Sequence, residues 1–314
     1  MNVLSLFDGH STGYGALVDA GIKIDCYFAS EIEESAMRIS KKNYPDIIQI
    51  GDVTKIDVSA LPKIDLVIGG SPCQGFSRAG KCLNFDDPRS ALFFEFVRIL
   101  DEVKKVNPDV KFMLENVRMK KEWEQIITNH MGVDGIHINS KLLSAQHRER
   151  VYWTNIHVKE IEDRNIMLSD ILEQVDTSEF VDKDGILIDP SFNEGARELI
   201  SVVDGEVRVK QATRAGYIVA NDGDGINLDI PTSKTRRGRV IYGKSSTITR
   251  TINSSGVYKD GVIRKFTITE LERLQMLPDG YTDAPDVSLS ERKYAIGNGW
   301  TRSVVAHIFS GLKS

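Results

Sequence analysis

Short apolar runs alternate with longer stretches whose apolar residues recur every three or four positions, and this alternation extends over residues 1–156. The short runs are typical of buried strands, and the longer stretches are typical of amphipathic helices. Strands are predicted at 3–7, 23–28, 47–50, 64–69, 111–114, 137–143 and 150–156, and helices through 16–18 and over 33–43, 88–103 and 119–130. Alternating strands and helices predict the α/β class, with a doubly wound, Rossmann-like and mostly parallel sheet.

Residues 157–262 break this rhythm with short extended pieces, Gly-Asp turns and Ser/Thr-rich tracts. This pattern predicts a smaller, irregular domain with β character. Helical periodicity resumes at 269–275, and a last helix is predicted over 301–312. We therefore expect a first domain at 1–156, an inserted domain at 157–262 and a return to the first domain at 263–314.

Composition is that of an ordinary globular protein, with 314 residues of which 41% are hydrophobic and 27% charged. The absence of a run of 18 apolar residues predicts no membrane-spanning helix, and the N-terminal residues resemble a strand rather than a signal peptide. The three cysteines all lie in the first 82 residues and do not form a disulfide framework, which favours a reducing cytoplasm. No Cys/His group has the spacing of a zinc site, so we expect no metal.

Charge is distributed unevenly, although the net value is only −5. No acidic residue occurs between Asp229 and Asp260, whereas 159–206 is rich in Asp and Glu. The basic residues of the first stretch are Lys234, Arg236, Arg237, Arg239, Lys244, Arg250 and Lys259. Such a stretch suits contact with phosphates, but charge alone favours a solvated basic loop equally.

One cysteine follows a predicted buried strand directly. Leu66-Val67-Ile68-Gly69 is continuous and apolar, and Gly70-Ser71-Pro72-Cys73 follows it. In open α/β sheets ligands bind where strands end, so Cys73 is a candidate nucleophile. Cys26 and Cys82 lack this setting and are expected to act as small buried hydrophobic residues.

The turn after the first strand, Phe7-Asp8-Gly9-His10-Ser11-Thr12-Gly13, suits close approach of a ligand to the backbone. Its spacing is not G-x-G-x-x-G and it has no Walker lysine, which argues against a phosphate site. Glu31, at the end of the second predicted strand, can accept hydrogen bonds from ribose hydroxyls. Asp52 can accept one from an adenine amino group.

Five short motifs together resemble those of the DNA (cytosine-5)-methyltransferases of bacterial or phage type. In chain order they are Phe7-Asp8-Gly9, Pro72-Cys73, Glu115-Asn116-Val117, Gln146-His147-Arg148-Glu149-Arg150 and Gly297-Asn298-Gly299-Trp300. The resemblance covers about 1–156 and 263–314 and implies a class I methyltransferase fold. It makes 157–262 the target-recognition domain.

The resemblance implies methyl transfer from S-adenosylmethionine to carbon 5 of a flipped-out cytosine in a specific double-stranded DNA sequence, leaving S-adenosylhomocysteine. Cys73 would add to carbon 6 and Glu115 would donate to N3 of the base. Arg150 would bind O2, and Asn116 would orient a loop. Arg148 would hold either the cysteine loop or a phosphate.

The cofactor residues that the resemblance implies are Phe7, Asp8, Gly9, Ser11, Thr12, Gly13, Glu31, Ile32, Asp52, Val53, Pro72, Leu92, Asn298 and Trp300. Two departures stand out. Gly9-His10-Ser11-Thr12 replaces the commoner Gly-x-Gly-Gly, although the mammalian de novo DNA methyltransferases have a similar turn. Gly299-Trp300 replaces the commoner Ala/Ser followed by Val/Phe, and the role of His10 is left open.

The expected DNA contacts are Ser77, Arg78, Lys234, Arg236, Arg237, Arg239 and Lys244. Ser77 and Arg78 belong to a loop at 74–81 that would close over DNA. Arg237 or Arg239 would read guanine, while Lys234 and Lys244 would contact phosphates. We expect a monomer that binds double-stranded DNA. The target sequence and a cognate restriction endonuclease are left open.

Two other functions fit parts of the pattern. A tRNA cytosine methyltransferase of the same family would carry a Cys-Phe-Thr signature, which this chain lacks. A catalytically silent DNA-binding homologue would lose Pro72-Cys73 or Glu115-Asn116-Val117, which are present. An active DNA enzyme is therefore favoured.

Overall fold

The computed structural model describes residues 1–72, 91–234, 238–250 and 255–313. Its main sheet has seven strands in the order β3-β2-β1-β4-β5-β7-β6. The strands are β1 (Asn2–Leu6), β2 (Cys26–Ser30), β3 (Ile48–Gln49), β4 (Leu66–Gly69), β5 (Lys111–Val117), β6 (Gly135–Asn139) and β7 (Glu149–Thr154). Strands β1 to β5 pair in parallel, whereas β7 is antiparallel to both β5 and β6. The predicted α/β class and mostly parallel sheet are confirmed.

Helices cover both faces of this sheet. The helices in the described residues are α1 (Thr12–Asp19), α2 (Glu34–Asn43), α3 (Ala91–Val106), α4 (Lys121–Met131), α5 (Glu194–Arg197), α6 (Ile268–Leu274), α7 (Leu289–Asn298) and α8 (Arg302–Phe309). Helix α5 does not lie on this sheet, because its Ala196 is buried in a separate core cluster. Phe96 of α3 and Ile127 of α4 are fully buried in one core cluster. Leu17 of α1 and Val304 of α8 are fully buried in the cluster on the other face. Helix α8, near the end of the chain, therefore packs beside α1, the first helix.

A second group of strands follows the main sheet along the chain. The strands are β8 (Val181–Lys183), β9 (Ile186–Ile188), β10 (Ile200–Val203), β11 (Glu206–Lys210), β12 (Tyr217–Ala220), β13 (Gly225–Asn227), β14 (Arg239–Ile241), β15 (Ser255–Lys259) and β16 (Val262–Lys265). They form a six-stranded sheet, β14-β13-β15-β16-β9-β8, and a three-stranded sheet, β10-β11-β12. Phe192, Val209 and Ile263 lie in their own buried cluster. Because β16 begins at Val262, the strands continue past the predicted boundary at 262.

The topology gathers polar side chains at one edge of the main sheet. The carboxyl ends of β1, β2, β4 and β5 meet there because these strands are parallel. Strand β7 runs the other way, so its first residues reach the same edge, and Arg150 pairs in register with Val117 at the end of β5. Residues that end β5 and begin β7 are therefore neighbours.

Within the described ranges, no helix is long and apolar enough to cross a membrane. The same residues contain no group of three or more His, Cys, Asp or Glu side chains placed to hold a metal ion.

Candidate active site

A cleft of about 1340 Å³ opens at this edge of the sheet. Sites for one small molecule are usually about 300–1,000 Å³, so the cleft has room for more than one ligand group. Of the predicted cofactor residues, those that line it are Phe7, Asp8, Gly9, Thr12, Glu31, Ile32, Asp52, Val53, Pro72, Leu92, Asn298 and Trp300. Glu115, Asn116, Arg148 and Arg150 line the same cleft. The two predicted halves of the site are thus continuous.

Several predicted residues lie outside the part of the chain that the structure describes. They are Cys73, Ser77, Arg78, Arg236 and Arg237. Pro72, the neighbour of Cys73, lines the cleft.

The turn between β1 and α1 has an unusual backbone. Phe7, Gly9 and Ser11 have φ angles of 56°, 60° and 61°, in the left-handed region. A bulky residue such as Phe is seldom found there, and such strain concentrates at functional sites. The turn is secured where the Gly9 N–H donates to Glu31 Oε2 at 2.7 Å.

Glu31 is held at the end of β2 by backbone donors. Besides Gly9, the N–H groups of Ile32 and Glu33 donate to Glu31 Oε1 at 2.8 and 2.9 Å. A carboxylate offers about four acceptor positions, so Glu31 can accept further hydrogen bonds from a ligand. The neighbouring Ile32 side chain is 73% exposed and presents an apolar surface in the cleft.

Asp52 caps the short 3₁₀ turn that follows β3. Its Oδ1 accepts from the Thr54 N–H at 2.9 Å and from the Thr54 hydroxyl at 2.8 Å. These hydrogen bonds, the backbone one first, lower the pKa of Asp52. Asp52 is therefore an ionised acceptor at neutral pH.

Asp8 differs from Asp52 in its surroundings. The Tyr27 hydroxyl donates to Asp8 Oδ1 at 2.7 Å, and the Ser11 hydroxyl donates to Oδ2. Burial nevertheless dominates and raises the pKa of Asp8 to about 6. A carboxyl group that titrates near neutrality in a cleft is a candidate partner for a cationic ligand.

Two predicted cofactor residues stand behind the cleft wall. Ser11 is fully buried, and its hydroxyl bonds Asp8 and lies 2.6 Å from that of Ser40. A Cβ atom on Gly13 would lie 2.7 Å from Ile68 Cδ1. Ser11 orients Asp8 and Gly13 allows α1 to pack closely, and a role of these two residues in cofactor binding stays a prediction.

Glu115 is the centre of the other half of the cleft and is only 8% exposed. The Arg150 Nε lies 2.9 Å from Glu115 Oε1. The indole Nε1–H of Trp300 donates to Glu115 Oε2 at 3.0 Å. Both carboxylate oxygens are therefore held by a donor, one from β7 and one from the segment after α7.

Asn116 supports the chain that leads to Cys73. Its Nδ2 donates to the Ser71 hydroxyl at 3.1 Å and to the Ser71 carbonyl at 3.3 Å. Asn116 is 1% exposed and cannot reach bulk solvent. These contacts tie the end of β5 to Ser71, and a loop-orienting role of Asn116 stays a prediction.

Arg148 is 3% exposed and holds the segment that follows α7. Its guanidinium donates to the carbonyls of Ile248 at 2.8 Å and Gly299 at 2.9 Å. A buried guanidinium bound to carbonyl oxygens is not available to a DNA phosphate, so that alternative is not supported. Arg148 instead joins β7 to the chain around Trp300.

Lys244 requires a correction. It is 9% exposed, and its ammonium donates to the carbonyls of Ile166 at 2.7 Å, Lys141 at 2.8 Å and Ser144 at 3.1 Å. Burial lowers the pKa of Lys244. Its charge fastens two distant chain segments and does not face a phosphate, whereas Lys234 and Arg239 are exposed.

His10 and Gly299, both unusual in their motifs, are in contact. His10 is 2% exposed, its Nδ1 lies 3.2 Å from the Thr12 hydroxyl, and burial lowers the pKa of its imidazole to about 4. A Cβ on Gly299 would lie 2.5 Å from His10 Nε2. The two departures are therefore complementary, because His10 fills the space that a side chain at 299 would need.

Sequence reasoning missed other residues that line the cleft. Asp229, Ile230 and Arg250 enter it from the second group of strands, and Tyr294 enters it from α7. Arg250 was noticed only as one charge in a basic stretch. No local signal distinguished Tyr294.

Comparisons with known proteins agree with this geometry. The sequence model of the family described as C-5 cytosine-specific DNA methylase matches residues 1–314. The type II methyltransferase M.NgoBV of Neisseria gonorrhoeae is 36% identical over 151 residues, which are 42% of this chain and 35% of that protein. The orphan methyltransferase M.Rho11sI of Bacillus phage rho11s is 34% identical over 176 residues, 52% of this chain and 34% of that protein. The chain thus spans about a third of the length of the curated relatives it matches.

Solved structures share the fold over nearly the whole chain. The methyltransferase EhMeth of Entamoeba histolytica has a TM-score of 0.68 at 15% identity, covering 99% of this chain and 97% of that one. The Dnmt2 methyltransferase of S. pombe has a TM-score of 0.65 at 18% identity, with the same coverage. At such low identities the likeness concerns the fold alone.

Proposed function

Because this chain belongs to the C-5 cytosine-specific DNA methylase family, we propose that it transfers a methyl group from S-adenosylmethionine to carbon 5 of a cytosine in double-stranded DNA. The observation that carries this proposal is the paired Glu115 and Arg150 in one cleft with Glu31 and Asp52. A base-activating group and a nucleoside-binding set are what such a transfer needs.

S-adenosylmethionine supplies an electrophilic methyl group on a positively charged sulfur. Glu31 would accept hydrogen bonds from the ribose hydroxyls, and Asp52 would accept one from the adenine amino group. Phe7 and Ile32 offer apolar surface to the adenine ring. The Asp8 carboxylate would attract the positive charge of S-adenosylmethionine. The hydroxyls of Ser11 and Tyr27 hold the Asp8 side chain in place.

Carbon 5 of cytosine is a weak nucleophile until the ring is activated. The Cys73 thiolate would add to carbon 6, and the electron pair of the 5,6 double bond would make carbon 5 nucleophilic enough to accept the methyl group that the bound S-adenosylmethionine would supply. Glu115 donates a hydrogen bond or proton to N3, and Arg150 binds O2. Transfer of the carbon 5 proton to a water molecule and departure of the Cys73 thiolate would then restore the aromatic ring, and the N3 proton would return to Glu115. The base must leave the duplex for these contacts to form.

The second group of strands serves as the target-recognition region. Its exposed Lys234 and Arg239 suit contact with phosphates or base edges, and Arg250 faces the cleft. A reducing cytoplasm keeps Cys73 as a thiol, and one chain holds the described site, so we propose a cytoplasmic monomer. The relatives include both type II and orphan methyltransferases. Similarity to them therefore does not decide whether this protein acts with a partner endonuclease.

Bisulfite sequencing of a plasmid carrying the gene tests the proposal directly. We expect protected cytosines in one sequence context, and none in plasmid from cells with the empty vector. Unprotected plasmid DNA from cells that contain folded, donor-binding protein would exclude the activity. If bisulfite sequencing of RNA from the same cells showed protected cytosines only in tRNA, the substrate would be tRNA instead of DNA.

Donor affinity is expected to fall as the pH drops below about 6, because the pKa of Asp8 is raised to about 6. Below that pH Asp8 is protonated in the free protein and must ionise to favour the positive donor. The loss approaches about tenfold per pH unit at its steepest. Calorimetric titration at pH 5, 6 and 7.5 measures it.

Asp8→Asn is expected to bind more weakly at pH 7.5 and to show a flatter pH profile. The free energy of unfolding should change with pH in the opposite direction to the affinity for S-adenosylmethionine. Because the pKa of Asp8 is raised by folding, its protonation stabilises the folded protein fully below the ordinary pKa of 3.8, and this stabilisation is lost as the pH rises through about 6. Asp8→Asn should therefore melt higher than the parent at pH 7.5. Asp57→Asn, at an exposed carboxylate that caps a 3₁₀ turn, is the control. A parental profile in Asp8→Asn would assign the effect to another group.

A further inference from the structure

We propose that Trp300 is a positioning residue for the catalytic carboxyl group of Glu115. This inference rests on the proposed function. The indole Nε1–H donates to Glu115 Oε2 at 3.0 Å, across 185 residues of sequence. Trp300 lines the same cleft, so one side chain forms part of the wall and also holds the acid.

The physical need for a second donor lies in the soft terminal torsion of glutamate. This torsion has a broad, roughly two-fold energy profile, so a single contact does not set the plane of the carboxyl group. Arg150 binds Oε1 at 2.9 Å and Trp300 binds Oε2. With one donor on each oxygen, the carboxyl plane has a single preferred orientation toward the base.

The backbone around this contact leaves it room. A Cβ on Gly70 would lie 2.9 Å from both Glu115 Oε2 and Trp300 Nε1. Any side chain at position 70 would therefore crowd both the donor and the acceptor of this hydrogen bond. Gly70 also directly precedes Ser71, which Asn116 holds, so the acid and the cysteine loop share one support.

The backbone on both sides of Trp300 is held by hydrogen bonds of its own. Gly299, its chain neighbour, has its carbonyl bound by Arg148 at 2.9 Å and by the Gln275 amide at 3.2 Å. The Thr301 hydroxyl donates to Gln275 Oε1 at 2.9 Å. A donor mounted on so constrained a backbone can orient its acceptor.

The residue type points to the same role. Valine or phenylalanine at this position could form an apolar wall but would have no side-chain N–H group. Tryptophan adds only a donor and a larger ring to that wall. The hydrogen bond to Glu115 uses this donor.

Trp300→Phe separates the two roles, because it keeps an aromatic wall and removes the N–H. We expect the single-turnover methylation rate to fall by about tenfold to hundredfold, as for loss of a hydrogen bond to a charged group. The affinity for S-adenosylmethionine, measured by calorimetry, and the melting temperature should stay close to those of the parent protein. In a Glu115→Gln background the same change should cost much less, because the acid that Trp300 orients is already removed.

Trp153→Phe is the matched control, because it removes an indole hydrogen bond of the same length, 3.0 Å to Thr128, away from the cleft. Equal rate losses in both variants, or full additivity with Glu115→Gln, would overturn the inference. So would a parental rate in Trp300→Phe, while an inactive parent would instead overturn the proposed function. If Trp300→Phe does not fold, Gly70→Ala, which parts the same two atoms, must show the lower rate at unchanged donor affinity.

Discussion

Replacing Cys73 by serine is expected to abolish methyl transfer while leaving the fold and donor binding intact. Cysteine suits the reaction because its thiolate is strongly nucleophilic and is also a good leaving group. A serine hydroxyl has no comparable anion near neutral pH, so the addition to carbon 6 is lost. Loss of a catalytic nucleophile costs about 10⁴-fold or more in rate. Single-turnover methylation of DNA, measured with calorimetric donor affinity, checks both halves of the expectation.

Cys26→Ser is the matched control for this change. Cys26 is a partly buried free cysteine at the start of β2, at the opposite end of that strand from Glu31. It should keep the parental rate. Normal turnover by Cys73→Ser would move the nucleophile elsewhere, whereas equal loss in both variants would indicate a general need for the thiols.

Glu115→Gln is expected to lower the rate of the chemical step by about 10²–10⁴-fold, the usual contribution of a general acid. The amide keeps the size of the side chain but cannot donate a proton to N3. It also weakens the contacts at 2.9 Å with Arg150 and at 3.0 Å with Trp300. DNA affinity should change far less than the single-turnover rate.

Glu149→Gln is the control on the neighbouring strand. Glu149 directly precedes Arg150, but it pairs with Arg118 at the surface at 3.0 Å, and both side chains are more than half exposed. Its removal should leave the rate unchanged. If Glu115→Gln instead lowered DNA affinity and spared the single-turnover rate, Glu115 would be a binding residue only.

The main sheet was predictable because buried strands such as β4 have a continuous apolar run and the longer helices α2, α3 and α4 are amphipathic. The position of Glu115 within its strand was harder to predict from the sequence. The predicted strand ended at 114, whereas β5 continues to Val117 because β7 pairs with it there in antiparallel register. Such pairing joins segments far apart in sequence, and local periodicity does not report it.

Helix α7 was missed, since its sequence has little amphipathic character and carries Gly297 in its last turn. A usable signal was present. The Ser288 hydroxyl accepts from the Glu291 N–H, and the Glu291 carboxylate accepts from the Ser288 N–H, which is a capping box. This pair, three residues apart, marks the start of the helix that leads to Trp300.

Lys244 shows why charge alone misleads. In the sequence it is one of several basic residues in a stretch without acids. Its three carbonyl partners come from residues about 80 to 100 positions earlier in the chain. Only the tertiary fold decides whether a lysine ends in solvent or in a ring of carbonyl oxygens.

Segments from the start and the end of the chain line one cleft. The cleft can therefore be completed only late in the synthesis of the protein. The turn at 7–12 leaves the ribosome long before 297–300, yet both line the same cleft. Until Trp300 has emerged, a nascent chain lacks this part of the cleft wall and the second hydrogen-bond donor to Glu115. A translation product that stops before this segment would therefore lack one wall of the cleft and one hydrogen-bond donor to Glu115.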